Sequence, residues 1–309
     1  MINSVYENLG LKCWLDGKFI DYSSAKVPIL THSLQYGSGI FEGIRAYETS
    51  SGIEIFRLDE HIKRFFETAK IYSMNLGYSL IDIKDATISL IKLNKLKAAY
   101  IRPFAFYNND AIGLNVTNKK VSVFIAAVPL EKYLVSVGEG VKCKVSSWHR
   151  INSSILPIEA KSSGHYVNSI IAHIEAKSAG FDEAILLSDN GYVAEGPGEN
   201  IFIVKNGALF TPDESANILL GITRDTVIQI AKFLNIPVSA RNIHREELYT
   251  ADEVFFSGTA AQITPVLNVD NIKIGSGSTG EITKKIRNIY SDIVHGKIEK
   301  FKEWLTIVK

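Results

Sequence analysis

The chain has 309 residues, of which 46% are hydrophobic, enough apolar material for one large or two medium-sized cores. Its 34 basic and 33 acidic residues give a net charge of +1, with no run of one sign that suggests a nucleic-acid track or a polybasic membrane patch. No apolar run approaches the roughly 20 residues that span a bilayer, and the N-terminus lacks the regions of a signal peptide. Neither a nucleic acid nor a membrane is therefore expected as a partner, and the cytoplasm is the expected location.

Two cysteines, Cys13 and Cys143, lie far apart in the sequence and in no metal-ligand pattern. A reduced, intracellular protein is the natural interpretation, with both cysteines as small packing residues. No metal site is expected.

The first part of the chain mixes strand and helix patterns. An Asp-Gly turn between short apolar runs predicts a hairpin over 13–20, and Asp59 is a candidate cap for a helix. The apolar residues of that helix recur at helical spacing, at Ile62, Phe65, Phe66 and Ala69. Further patterns predict a helix over about 82–96 and strands over 54–57, 98–106 and 121–127.

The second part of the chain is richer in strands. A helix is predicted over Tyr166–Ser178, with one apolar stripe at Val167, Ile170, Ile171 and Ile174. Asn-Gly turns at 190–191 and 206–207 predict two hairpins. Other patterns predict strands over 142–147 and 253–256, and residues 220–226 lead into a further helix. The chain is therefore expected to be α+β, with a small N-terminal domain over 1–129, an interdomain connector over 130–138 and a larger, strand-rich domain over 139–309.

Lys161 stands in a turn-rich segment of small residues, between Pro157 and Gly164. Its primary amine can form a Schiff base with a carbonyl cofactor, and the small neighbours leave room for a flat ring. Most lysines are solvated surface residues, so the segment alone leaves both interpretations open.

Glu195 follows a predicted hairpin strand and precedes Gly196-Pro-Gly198. Its carboxylate could pair with the nitrogen of a pyridine ring and keep that nitrogen protonated. A lysine and a carboxylate of this kind are the minimum equipment for pyridoxal 5′-phosphate (PLP) chemistry. The alternative is a solvent-exposed turn glutamate.

A phosphate group requires backbone N–H groups and a helix start. Gly221-Ile222-Thr223 opens a helix, and Ser257-Gly258-Thr259-Ala260 ends a strand, although such sequences also cap helices without a ligand. Arg64 could add a fixed positive charge, or be an ordinary exposed helix arginine. The three glycines that follow Tyr36, the last of them Gly43, would let the backbone approach a ligand closely, or pack on neighbouring aromatic residues.

Taken in order, these segments resemble the branched-chain amino acid aminotransferases, a group within the class IV (fold type IV) aminotransferases. The resemblance extends over nearly the whole chain, from Trp14 to Trp304. The matching segments are 36–45, 61–64, 100–103, 146–148, 160–161, 195–200, 220–224 and 257–265.

The resemblance implies that PLP is covalently bound to Lys161, which also moves the proton during catalysis. It implies that Glu195 pairs with the pyridine nitrogen, that Tyr166 bonds the phenolic oxygen and that Leu219 packs on the ring face. Arg64, Ile222, Thr223 and Thr259 would hold the phosphate.

The resemblance also implies a substrate pocket. Its lining would come from Phe41, Gly43 and Tyr133, and from Tyr36 and Leu114 of the partner subunit. The substrate carboxylate would meet the backbone of Thr259 and Ala260, and Arg102 would pair with the second carboxylate of glutamate.

The implied fold is that of a two-domain fold type IV enzyme, with a small α/β domain and a larger pseudo-barrel domain. The implied reaction, part of branched-chain amino acid biosynthesis, is reversible transamination between L-leucine, L-isoleucine or L-valine and 2-oxoglutarate. A homodimer at least is implied, with a hexamer built as a trimer of dimers as the alternative. Other fold type IV activities stay open as well, namely D-amino acid aminotransferase, (R)-amine transaminase and aminodeoxychorismate lyase.

Overall fold

The computed structural model describes residues 9–108, 112–129 and 140–309. Within them the chain forms two compact units. The first contains residues 9–129 of the described chain with Ala160–Gly164 and Ile293–Lys309, and the second contains residues 140–159 and His165–Asp292. The segment that carries Lys161 thus belongs to the first unit. The domain boundaries predicted at 129 and 139 stay a prediction, and the connector predicted over 130–138 lies outside the described residues.

The first unit is built on an antiparallel sheet of eight described strands. These are β1 (Lys12–Leu15), β2 (Lys18–Asp21), β3 (Ile40–Phe41), β4 (Ile44–Thr49), β5 (Gly52–Phe56), β6 (Ala99–Tyr107), β7 (Val121–Val128) and β17 (Leu305–Ile307). They pair in the order β17-β5-β4-β6-β7-β1-β2, and β3 pairs with β6. The helices of this unit are α1 (His32–Tyr36), α2 (Leu58–Ile71) and α3 (Leu80–Leu93).

The two faces of this sheet differ in chemistry because side chains alternate along each strand. One face belongs to the apolar core, where Ile44 and Ile101 cluster with Ile62 of α2 and Leu90 of α3. The other face carries the residues between them, and Arg45 stands opposite Tyr100 in the β4–β6 register. The strand residues that were predicted to line a pocket therefore lie on the face of the sheet that is turned away from the helical core.

The second unit is rich in strands. They are β8 (Val141–His149), β9 (Glu183–Leu187), β10 (Val193–Glu195), β11 (Asn200–Lys205), β12 (Ala208–Thr211), β13 (Val238–Ala240), β14 (Glu253–Gly258), β15 (Gln262–Val269) and β16 (Ile272–Lys273). Their order is β10-β9-β8-β15-β14-β11-β12-β13, and an additional β10–β11 pairing closes the sheet on itself. The helices that begin here are α4 (Tyr166–Ser178), α5 (Ile222–Phe233), α6 (Arg245–Thr250) and α7 (Glu281–Val294). The predicted α+β class with a barrel-like, strand-rich unit is confirmed.

Turn chemistry explains the hairpins that the sequence predicted. Asn206 and Gly207 both have positive φ, 49° and 76°, as a two-residue hairpin turn requires. The Asp-Gly hairpin of β1 and β2 is also present. None of the helices in the described ranges is long and apolar enough to cross a membrane.

One local prediction was wrong, and one predicted helix buries a face that its apolar residues did not indicate. Helix α2 begins at Leu58 after Arg57, so Asp59 lies in the first turn, where its charge still suits the positive helix end, rather than at the cap. Helix α4 has the predicted bounds, but the side of its apolar stripe at Val167, Ile170 and Ile174 is exposed. The face that packs on the sheet carries small residues, Ser169, Ala172 and Ala176.

Candidate active site

The backbone of Lys161 is held by two elements of the first unit. The Phe41 N–H donates to the Lys161 carbonyl at 3.0 Å, and Ile40 forms a bridge with Ser162, so this segment extends the pairing of β3. From the other side, the Lys161 N–H donates to Thr68 Oγ1 of α2 at 3.3 Å. The lysine therefore stands on a fixed backbone, as a residue that must present its amine to a ligand requires.

The side chains of Lys161 and Arg102 both lie over the ring of Phe41. Lys161 Nζ lies 5.2 Å from the centre of the Phe41 ring, and Arg102 Cζ lies 4.5 Å from the same point. Both distances are within the range of cation–π attraction. The structure thus brings Lys161, Phe41 and Arg102 together, as predicted for an amine and its substrate pocket.

The guanidinium of Arg102 is placed by Tyr100 and, through it, by Gly43. Arg102 Nη2 donates to the Tyr100 hydroxyl at 2.7 Å. A Cβ added to Gly43 would lie 2.4 Å from that hydroxyl, so only glycine leaves room for the tyrosine. Among the described residues, the buried Arg102 Nε has no hydrogen-bond partner and the guanidinium has no carboxylate partner. A half-buried guanidinium that has no carboxylate partner in the described part of the chain is a suitable partner for an anionic ligand.

Glu195 ends β10 and is only 6% exposed, so the alternative of a solvent-exposed turn glutamate is wrong. Its Oε1 lies 2.7 Å from Arg150 Nε in an ion pair. Its Oε2 accepts from Asn200 Nδ2 at 3.0 Å and from the Leu219 N–H at 3.2 Å. One ion pair and two hydrogen bonds hold this buried carboxylate, and such surroundings favour the ionised form of a carboxyl group.

Asn200 connects Glu195 to the start of α5. Besides Glu195, its Nδ2 donates to the Leu219 carbonyl at 2.8 Å. A Cβ on Gly221 would lie 2.1 Å from Asn200 Oδ1, so the glycine is needed for this approach. Gly221 is the N-cap of α5, and as a glycine it has no side chain that could form a cap hydrogen bond to the first turn.

The end of β14 lies beside the same group, because Asn200 pairs with Ser257 in the β11–β14 register. Ser257 is buried, and its Oγ has no hydrogen-bond partner in the part of the chain that the structure describes. Thr259 and Ala260 lie in the turn between β14 and β15. A helix start with a glycine as its N-cap, beside a buried hydroxyl that has no partner among the described residues, fits an anion such as phosphate, and the ionised Glu195 fits a protonated ring nitrogen.

Arg64 is largely buried in the first unit, with 14% of its side chain exposed, so it is not an ordinary surface arginine. Its Nε donates to Glu42 Oε1 at 2.6 Å and its Nη2 to Glu42 Oε2 at 2.9 Å. His61 Nδ1 lies 2.7 Å from the same Oε2. The predicted contact of Arg64 with a phosphate stays a prediction.

The remaining predicted site residues lie in three settings. Tyr166 is the first residue of α4 in the second unit. The Tyr36 hydroxyl accepts the Gly113 N–H at 3.1 Å, and the neighbouring Leu114 is 78% exposed. Tyr133 lies outside the described residues.

Sequence reasoning missed four residues that hold the predicted ones in place: Glu42, His61, Arg150 and Asn200. Glu42 and Asn200 stand inside segments that carried the resemblance, and Arg150 follows the 146–148 segment by two positions. His61 begins the 61–64 segment, which also carried the resemblance. The pairs of Glu42 with His61 and of Arg150 with Glu195 join residues 19 or more positions apart, so no spacing rule identifies them.

Comparisons with known proteins agree with this geometry. The model of the family described as amino-transferase class IV matches residues 39–269. A Pseudomonas aeruginosa protein named branched-chain-amino-acid aminotransferase is 45% identical over 96% of this chain and 97% of its own length. An Escherichia coli protein of the same name is 41% identical over 94% of this chain and 96% of its own length.

Solved structures agree as well. The branched-chain aminotransferase of Thermoproteus uzoniensis with norvaline has a TM-score of 0.93 and 46% identity, covering 97% of this chain and 99% of that one. The Escherichia coli branched-chain amino acid aminotransferase has a TM-score of 0.94 and 40% identity, covering 97% of this chain and 100% of that one. The resemblance inferred from the sequence is confirmed, and the chain belongs to the class IV amino-transferases, an enzyme family.

Proposed function

We propose that this protein is a PLP-dependent branched-chain aminotransferase, which transfers the amino group reversibly between L-leucine, L-isoleucine or L-valine and 2-oxoglutarate. The observation that carries this proposal is the position of Lys161 and Arg102 over the same Phe41 ring. The primary amine of Lys161 lies over it, and so does the guanidinium of Arg102, which has no carboxylate partner among the described residues. An apolar wall with a cation at its edge suits both an aliphatic side chain and a second carboxylate.

PLP is the proposed cofactor, covalently bound to Lys161. Solved relatives complexed with N-(5′-phosphopyridoxyl)-L-glutamate or with pyridoxamine 5′-phosphate support the choice. When bound, PLP supplies an electron sink for the charge that develops at the substrate Cα. The Lys161 amine would take the proton from that carbon and return it on the cofactor side, and its fixed backbone limits the positions the amine can reach.

Glu195 would hold the proton on the ring nitrogen. Arg150, Asn200 and the Leu219 N–H keep the Glu195 carboxylate ionised and oriented, which supports this role. Leu219 would pack on the ring face, and Tyr166 would bond the phenolic oxygen.

The phosphate would be held by Arg64, by the α5 start at Ile222 and Thr223, and by Thr259. The helix start with its N-cap Gly221, and the buried Ser257 hydroxyl, which has no hydrogen-bond partner in the described part of the chain, support an anion there.

Substrate selection would follow from the Arg102 group. In one half-reaction the aliphatic side chain would contact Phe41 and Gly43, together with Tyr133. In the other, the second carboxylate of glutamate or 2-oxoglutarate would pair with Arg102, whose guanidinium Tyr100 already orients. The substrate α-carboxylate would meet the backbone of Thr259 and Ala260.

A second copy of the chain would complete the pocket through Tyr36 and Leu114. Leu114 and Ile112 are 78% and 80% exposed, and the Tyr36 hydroxyl bonds the intervening Gly113, so these side chains form one apolar group on the surface of the first unit. Mixing Lys161→Ala with Tyr36→Ala protomers should restore activity, because a mixed dimer would contain one site with neither substitution. No recovery after verified mixing would contradict a shared pocket.

Steady-state and single-turnover assays test the function directly. We expect L-leucine, L-isoleucine, L-valine and L-glutamate to act as donors, and D-alanine and (R)-1-phenylethylamine to react far more slowly. Turnover of D-alanine or the (R)-amine without L-leucine would instead assign a sister activity of the same family.

A further inference from the structure

We propose that Glu42 is the positioning residue that fixes Arg64 for the phosphate of PLP. The inference rests on the proposed function, in which Arg64 is a phosphate contact. Glu42 itself would touch neither cofactor nor substrate. It would act by holding the guanidinium in one orientation.

Glu42 is fully buried, with none of its side chain exposed. Burial alone would raise the pKa of this carboxyl group. The attraction of Arg64 and the hydrogen bonds from His61 and Arg64 outweigh burial and hold the pKa of Glu42 well below its ordinary value. The carboxylate is therefore ionised, and removing either member of such a buried pair leaves the other charge uncompensated.

The contact is of the bidentate kind that fixes a guanidinium in its plane. Nε and Nη2, on one edge of the Arg64 group, each donate to a different oxygen of Glu42, at 2.6 and 2.9 Å. Two parallel hydrogen bonds restrict rotation about the last bonds of the side chain, so less rotamer entropy is left to lose when a ligand binds. An arginine held in this way presents its other edge in a constant direction.

His61 completes the arrangement as a neutral donor. Burial lowers the pKa of His61, although Glu42 opposes this shift. Since a carboxylate accepts only, the ring must donate from Nδ1 to Glu42 Oε2, at 2.7 Å. His61 and Arg64 lie three residues apart on α2 and therefore on one face of the helix. Glutamine at position 42 could not satisfy these donors, because its amide nitrogen would face either Arg64 Nε–H or both Arg64 Nη2–H and His61 Nδ1–H.

The same framework also holds Lys161. Glu42 directly follows Phe41, whose N–H donates to the Lys161 carbonyl, and α2 supplies Thr68 to the Lys161 N–H. Arg64 and Lys161 are thus both tied to β3 and α2 of one unit. The ion pair of Glu42 with Arg64 would fix the position of the phosphate-binding guanidinium relative to the Lys161 amine. This relative position would be lost if the Arg64 side chain could rotate.

Cofactor affinity with and without the phosphate group tests the inference. Full-length holoenzyme is stripped of cofactor and titrated with PLP and with pyridoxal, which lacks the phosphate, for wild type, Glu42→Gln, Arg64→Gln and the double variant. Glu67→Gln is the matched control, because Glu67 is an exposed carboxylate on α2 whose partner is the surface Lys63. The ³¹P chemical shift of bound PLP provides a readout independent of activity.

We expect Glu42→Gln and Arg64→Gln each to raise the PLP dissociation constant roughly tenfold or more, the effect of losing an oriented charged hydrogen bond. The pyridoxal constant should change less than about twofold, and the double variant should bind PLP no more weakly than Arg64→Gln, because both changes remove one interaction. The ³¹P shift should move in Glu42→Gln and not in Glu67→Gln.

Two results would overturn the inference and leave the proposed function standing. In the first, Glu42→Gln weakens the binding of PLP and of pyridoxal equally. In the second, Glu42→Gln weakens the binding of neither ligand, while Arg64→Gln weakens the binding of PLP. An unchanged PLP constant in Arg64→Gln would instead remove the phosphate role of Arg64, and the inference with it. If Glu42→Gln does not fold, Glu42→Asp replaces it under the same criteria, since the shorter side chain keeps the charge and loses the bidentate reach.

Discussion

A single methyl group at Gly221 should disturb the group that holds Glu195. The backbone of Gly221 is extended, with φ −71° and ψ 136°, so alanine adopts it without strain. The added Cβ, however, would lie 2.1 Å from Asn200 Oδ1. Because the amide is the far end of a side chain, Asn200 would turn away and lose its bonds to Glu195 and to the Leu219 carbonyl.

The cost follows from those two hydrogen bonds, which are 3.0 and 2.8 Å long. A hydrogen bond to a charged group contributes about 1.5–3 kcal/mol and a neutral one about 0.5–1.5 kcal/mol. Replacing glycine by alanine where the backbone permits it returns about 0.4–1 kcal/mol through the unfolded state. Gly221→Ala should therefore lower the free energy of unfolding by about 1–4 kcal/mol.

Gly198→Ala is the matched control, since a Cβ there would meet no atom within 4 Å. Denaturant unfolding of both variants without cofactor measures stability, and titration with PLP measures cofactor affinity. Gly221→Ala should lower both the free energy of unfolding and the affinity for PLP, while Gly198→Ala should leave both unchanged. If the two variants behave alike, Asn200 does not hold Glu195 in the way described.

Four further predictions follow from the same geometry. Lys161→Ala should abolish the visible absorbance band of the bound cofactor and lower transamination by several orders of magnitude; retained turnover would contradict its role. Glu195→Ala should still bind PLP but slow proton abstraction in single-turnover kinetics, and an unchanged rate would remove it from the mechanism. Arg102→Met should lower kcat/KM for L-glutamate far more than for L-leucine, whereas equal losses would make Arg102 structural. Burial raises the pKa of Glu42, but Arg64 and the hydrogen bonds outweigh burial and hold this pKa below its ordinary value of 4.5. The ionised Glu42 therefore stabilises the folded protein above pH 4.5, and this stabilisation is lost as the pH falls toward the folded-state pKa. The stability gap between wild type and Glu42→Gln should therefore narrow below pH 4.5, and a constant gap would contradict the ionised pair.

Local structure was predictable where one residue type decides the backbone. The Asn-Gly hairpin at 206–207 and the Asp-Gly hairpin of β1 and β2 follow from residues that tolerate positive φ. The bounds of α4 follow from its composition and from Gly180 beyond its end, with φ 83°. Which face of α4 is buried did not follow, because an apolar stripe has the same period whether it meets the core or remains exposed.

The chemistry-bearing residues were predictable only in part. Lys161 and Glu195 stand in motifs whose residue types point to a cofactor, and the family resemblance supplied their roles. The contacts of Glu195 with Arg150 and of Arg64 with Glu42 join residues far apart in the sequence. Such pairs depend on strand register and helix placement, which periodicity does not encode. Asp59 failed as a cap because the N-cap of α2 is Arg57, two positions earlier, and the helix begins at Leu58.

One spectrum tests the central claim most directly. Purified holoenzyme is mixed with L-leucine in the absence of any 2-oxo acid, and its absorbance is followed from the near ultraviolet into the visible. We expect the visible band of lysine-bound PLP to disappear as the band of pyridoxamine 5′-phosphate grows. Addition of 2-oxoglutarate should then restore the band of lysine-bound PLP. A PLP band that ignores L-leucine and responds to D-alanine would contradict the branched-chain assignment, and the absence of a band after adding PLP would contradict the role of Lys161.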